Sequence, residues 1–170
     1  MERVLSSGVE AVILREKDLK EEDYEELAAK VLPLCEKYHT PLILHTFLNT
    51  AKGLGVPRIH LPYPVFVDDY LNLPPEKQQE LEEVGVSVHS VQEAVKAQQK
   101  GASYLTAGHV FVTDCKRGLP PRGLEFLREV CEAVTIPVYA IGGITSENER
   151  LCMEAGAAGV CKMSSLMQME

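Results

Sequence analysis

Residues 108–118 read GHVFVTDCKRG. His109 stands where an apolar run ends, and an imidazole with an ordinary pKa near about 6.5 takes and returns protons at neutral pH. The alternative for such a residue is a buried histidine bonded to a neighbouring backbone carbonyl. The loop behind it carries Thr113, Asp114, Lys116, Arg117 and Arg122. It reads either as a lid that presents cations to an anionic ligand or as a solvated loop. Cys115 lies in the same loop, but the sequence places no base beside it, so no nucleophile is assigned. Two further stretches suit an anion. In YAIGGIT (139–145), Gly142 and Gly143 expose backbone N–H groups with no Cβ to block approach. In CKMSSL (161–166), Ser164 or Ser165 follows an apolar run, and a serine hydroxyl donates to phosphate. Taken together, the two stretches predict a phosphate site.

These residues need elements to hold them. Seven short runs rich in Val and Ile alternate with amphipathic stretches: 9–16, 41–46, 58–62, 86–89, 103–108, 137–143 and 159–165. The runs are continuous rather than alternating, as in strands buried on both faces. Helical patterns lie between them. The stretch 21–38 carries Leu27, Val31 and Leu34 at helical spacing, 74–85 opens on proline and closes on glycine, and 90–101 starts with Ser90 as N-cap and Glu93 three residues on. Stretches 122–134 and 145–156 complete the set. Strand and helix alternate with no hairpin signal, which predicts a parallel α/β sheet.

Arg15, His45, His60, His89, His109, Gly142, Gly143, Ser164 and Ser165 fall at the C-terminal ends of the predicted strands. That pattern favours a (β/α)8 TIM-type barrel, whose strand ends converge on one mouth and whose last two loops hold phosphate. No glycine-rich dinucleotide fingerprint follows the first run. The count is one strand short. The segment at 2–8 reads as the end of a helix, so the barrel is expected to lack its first strand and last helix. The chain is read as one domain, 1–170, truncated at both ends, with the exposed strand edges covered by a homodimer.

Composition narrows the class. Of the 170 residues, 45% are hydrophobic, which suits a globular domain. The net charge of -8 argues against nucleic acid as a partner. Five scattered cysteines without a CxxC argue against zinc or a disulfide framework and for a reducing cytoplasm. No signal peptide or membrane span is read.

The span GVSVHSVQEAVKAQQKGASYLTAGHVFVTDCKRGLPPRGLEFLREVCEAVTIPVYAIGGIT resembles the thiamine phosphate synthase superfamily, and more closely its thiazole tautomerase branch. Synthases of the superfamily show proline where this chain has His109. The resemblance implies a TIM-type barrel, a role in thiamine biosynthesis and an isomerase, a thiazole tautomerase, acting on a small phosphorylated thiazole without metal or cofactor. It implies His109 as acid/base and Gly142, Gly143, Met163 and Ser164 at the phosphate. It also implies Arg15, Lys17, Thr113 and Lys116 near the anionic groups. Synthases hold magnesium with an Asn-Asp pair and a Gly-Gln-x-Asp loop. The corresponding stretches here were matched to LNTAKG, where Asn49 precedes Thr50, and to HLPYPVF, with no acid before Asp68. The alternatives are a thiamine phosphate synthase, joining a thiazole phosphate to a pyrimidine pyrophosphate, and a non-catalytic ligand-binding or regulatory protein on an incomplete barrel.

Overall fold

The computed structural model describes residues 1–113, 116 and 118–163. The chain divides into two compact units, Met1–Val84 and Gly85–Glu170. The first runs α1 (Glu2–Ser6), β1 (Val12–Leu14), α2 (Glu21–Lys37), β2 (Leu42–His45), α3 (Leu48–Gly53), β3 (Arg58–Pro62), α4 (Tyr63–Asp68), a 3-10 turn (Tyr70–Asn72) and α5 (Pro75–Gln78). β4 (Glu83–Val88) starts at its end and leads into the second unit. There α6 (Val91–Gln99), β5 (Tyr104–Gly108), α7 (Gly123–Ala133), β6 (Val138–Ile141), α8 (Glu149–Glu154) and β7 (Gly159–Cys161) follow.

Pairing in each unit is parallel and follows chain order. Val12 faces Leu42 and Leu14 faces Leu44, and His45 faces His60. In the second unit β4 pairs with β5, β5 with β6, and β6 with β7. The helices between the strands supply the crossovers that parallel pairing requires. All five residues of β5 are buried, so the strand reads as a continuous apolar run. The hydroxyl of Thr106 meets Ser87 Oγ across the ladder at 3.0 Å, which gives both groups a partner.

The first and last strands are shorter than their apolar runs. The run at 9–16 yields only Val12–Leu14, and that at 159–165 yields Gly159–Cys161. The pattern at 74–85 divides. Only Pro75–Gln78 is helical, and Glu83 already belongs to β4, because the Glu82 and Glu83 amides both donate to Pro57 O and draw the chain alongside the start of β3. The long helix is turned relative to its expected face. Tyr24, Ala28, Val31 and Cys35 are buried, while Leu27 and Leu34 lie half-buried beside them. A tyrosine counts as apolar here because its hydroxyl finds backbone partners inside. Pro33 sits on the exposed side of the same helix, where water serves the carbonyl that its missing N–H leaves unbonded.

Among the described residues no helix is long and apolar enough to cross a membrane. The cap expected at 90 is present: Ser90 Oγ accepts from Glu93 N at 3.1 Å, and the Glu93 carboxylate reaches back to His89 N at 2.6 Å. Ser90→Ala is expected to destabilise the protein by about 1 kcal/mol. Urea unfolding checks it, and a change below about 0.3 kcal/mol contradicts it.

Candidate functional site

In the first unit the ends of β1, β2 and β3 bring together Arg15, Lys17, His45 and His60. Arg15 and Lys17 are exposed just past β1. His45 is half-buried and His60 buried, with ring centroids 5.7 Å apart. Burial, then the Arg15 and Lys17 cations, push the His45 imidazole down to about 4. Burial, then His45 and Arg15, push His60 down to about 3. Both rings are therefore neutral at physiological pH, chiefly through burial, and the cations that add to the effect also favour an anion at this end of the unit.

The chain leaves β2 through a tight turn. Thr46 has φ of 71°, a left-handed conformation that a β-branched residue rarely adopts. Phe47 N donates to His45 O at 2.9 Å and Thr46 N to His60 O at 3.0 Å. The Thr46 hydroxyl lies 2.6 Å from His45 Nδ1. Backbone strain of this kind is tolerated where the surroundings over-determine it, and it clusters at functional sites.

In the second unit the segment after β5 runs along the end of β6. Val110 N donates to Ile141 O and Phe111 N to Gly142 O, both at 3.0 Å. His109 is buried, and its Nε2 lies 3.4 Å from Leu119 O. His89 Nδ1 approaches Gly108 O at 3.0 Å. The glycine pair serves this packing. A Cβ on Gly142 would lie 2.3 Å from His109 Cβ, and one on Gly143 would lie 2.3 Å from Val112 O. Both also have positive φ, 101° and 67°. The open anion approach expected from these glycines is thus filled by the chain itself on the Cβ side.

His109, Gly142 and Gly143 come together in this way, and Lys116 N donates to Thr113 O in the following turn. Met163 is half-exposed after β7. Ser164, Ser165, Asp114, Cys115 and Arg117 lie outside the described residues.

The stretch compared with the magnesium pair is not at a strand end. Asn49 and Thr50 belong to α3; Asn49 is exposed, and Thr50 is buried with its hydroxyl 3.4 Å from Glu21 Oε1. The positions just past β2 are taken by Thr46 and Phe47, and those past β3 by Tyr63 and Pro64. Asp68 is exposed at the end of α4. Among the described residues no three His, Cys, Asp or Glu side chains cluster as metal ligands. Magnesium is held by one or two carboxylates together with substrate phosphates, and the positions just past β2 and β3, Thr46, Phe47, Tyr63 and Pro64, supply no carboxylate.

Thr46 and Tyr24 were missed by sequence reasoning. The threonine carries no local signal for a positive φ. The tyrosine does carry one: it starts the buried stripe of α2, four residues before Ala28 and seven before Val31.

The family described as thiamine monophosphate synthase matches residues 1–166. A putative thiamine-phosphate synthase 2 of Aquifex aeolicus is 36% identical over 171 residues, covering 99% of this chain and 88% of the relative. The thiamine-phosphate synthase 2 of Streptococcus pneumoniae is 37% identical over 173 residues, covering 100% and 80%. A solved structure titled thiamine phosphate pyrophosphorylase from Pyrococcus furiosus superposes with a TM-score of 0.82 at 31% identity, over 99% of this chain and 80% of that one. These relatives overturn the expectation of an isomerase. The tautomerase reading rested on His109 in place of proline, yet the relatives that match nearly the whole chain carry the synthase name. A histidine that ends a strand and packs beside a carbonyl and a glycine also has a structural use, so its type alone did not identify the reaction.

The depressed imidazoles give a sign for pH dependence. A histidine held below its unfolded pKa binds more protons when unfolded, so stability falls as pH drops below about 6.5. His60→Gln is therefore expected to lose less stability than the wild type between pH 7 and pH 4. Urea midpoints measured across that range check it, and parallel curves for the two proteins contradict it.

Proposed function

The chain belongs to the thiamine monophosphate synthase family, and from that premise we propose that it is itself a thiamine-phosphate synthase, joining a thiazole phosphate to a pyrimidine pyrophosphate. The observation that carries the reading is the near full-length similarity to relatives of that name. In the reaction a bond forms from the thiazole to the pyrimidine's carbon, the carbon–oxygen bond to pyrophosphate breaks, and the electron pair leaves on the pyrophosphate. Charge develops on that leaving group, so cations and hydrogen-bond donors fixed near it accelerate the step.

Arg15 and Lys17 are proposed for this role, because their field already acts on His45. Gly142, Gly143, Met163, Ser164, Thr113 and Lys116 are proposed for the phosphate of the thiazole, with His109 lining that end of β5. No step is routed through a protein-held magnesium ion, since no carboxylate stands just past β2 or β3. The same proposal takes the strands as part of an eight-stranded barrel, the chain as one domain that forms a homodimer, and the location as cytoplasmic.

The missing carboxylates past β2 and β3 favour a second reading, a non-catalytic protein that binds the phosphorylated thiazole. Incubation of the purified chain with both substrates, with magnesium and with chelator, separates the two. Thiamine phosphate and an equal amount of pyrophosphate are expected, and Arg15→Ala is expected to lower kcat/KM by roughly 10²-fold. Thiazole phosphate that binds while no product forms under either condition overturns the synthase reading and leaves the binding protein.

A further inference from the structure

We propose that Tyr24 is a positioning residue whose hydroxyl, inserted between the ends of β1 and β2, sets the backbone from which Arg15 and the His45–Phe47 turn depart. Tyr24 is fully buried on α2. Its hydroxyl donates to Leu14 O at 2.7 Å and accepts from His45 N at 2.8 Å. Both bonds are short and of opposite polarity, so the one O–H group relays the N–H of one strand to the C=O of its neighbour.

The register shows what the hydroxyl replaces. Val12 N donates to Pro41 O at 2.9 Å, and Leu14 lies opposite Leu44. With parallel bonds evenly spaced along a ladder, the next bond of this pair would run from His45 N to Leu14 O. The Tyr24 hydroxyl occupies that place and holds the two strand ends one oxygen further apart than direct pairing would. The residue after Leu14 is Arg15, and the residue that donates is His45. The spacing of the cation and of the imidazole is thus fixed by one side chain.

The turn beyond depends on the same group. Its three backbone donors go to three acceptors: His45 N to Tyr24 Oη, Thr46 N to His60 O and Phe47 N to His45 O. Only the first acceptor is a side chain. The Phe47 ring closes over Tyr24 with centroids 4.7 Å apart, so the strained Thr46 is flanked by residues that Tyr24 holds from below. Burial and the Glu16 charge help to push the phenol up to about 12, which keeps the proton that the relay needs.

The assignment of Arg15 to the leaving group rests on the synthase reading; the wedge itself does not. Tyr24→Phe removes one oxygen and keeps the ring. In this variant the His45 amide and imidazole signals are expected to shift in NMR spectra, because His45 N must close on Leu14 O or meet water. With both substrates kcat is expected to fall by roughly 10²-fold while KM changes less than about threefold, the penalty of a cation misplaced by about an ångström. Val31→Ala, a cavity in the same helix face, controls for lost stability. It should lower the unfolding midpoint without moving the His45 signals or kcat.

Unchanged His45 signals in Tyr24→Phe overturn the proposal, as does an equal loss of kcat in Val31→Ala. A wild-type chain that makes no thiamine phosphate sinks the functional reading alone. The His45 signals then still decide whether Tyr24 positions the turn.

Discussion

A parallel ladder satisfies its own backbone only as far as the strands run together, and where they end each N–H and C=O needs another partner. The ends examined in each unit meet this need differently. At β1 and β2 the partner is the Tyr24 hydroxyl, with His60 O serving the next amide. At β5 and β6 the chain itself continues, and Val110 and Phe111 bond to Ile141 and Gly142. Both solutions bring ionisable or polar residues to the strand ends and hold them by backbone contacts, which is the kind of support a precisely placed group requires. The shape of each cluster follows from how its strand ends are closed.

This constraint separates what the sequence makes legible from what it hides. Runs of buried Val, Ile and Leu announce the strands, and 58–62 agrees with β3 residue for residue. Ser90 and Glu93 announce the start of α6 by local chemistry alone. The breaks come where a distant partner decides. Glu82 and Glu83 leave the helical pattern because Pro57 O takes both amides, and Tyr24 turns inward because Leu14 and His45 are there to meet it. Helices α3 and α4, six residues each, are too short to show a period.

Several candidate residues were legible by their place after a strand, Arg15 after β1, His109 after β5 and Gly142 after β6. Gly142 and Gly143 sit just past β6, and on their Cβ side the missing side chains make room for His109 and Val112, which leaves the backbone N–H groups as the part proposed for phosphate. His109 ends its strand as expected, and its ring lies by Leu119 O. The histidines with clearly depressed pKa values are His45 and His60, in the other unit, where burial, with Arg15 beside both and Lys17 beside His45, keeps them neutral. Perturbed ionisable groups beside exposed cations mark a site by electrostatics, whatever reaction is run there. The synthase reaction proposed for the chain asks for anion stabilisation more than for proton transfer, which is the demand Arg15 and Lys17 are proposed to meet.

The claim that the end of β1 and β2 receives the anionic group is tested most directly by NMR titration of the chain with inorganic pyrophosphate, following backbone amides. The account predicts saturable shifts centred on Arg15, Glu16, Lys17 and the His45–Phe47 turn, lost in Arg15→Ala. Shifts centred instead on Lys52 and Lys77, which line the groove between α3 and α5, or shifts that survive in Arg15→Ala, would contradict it.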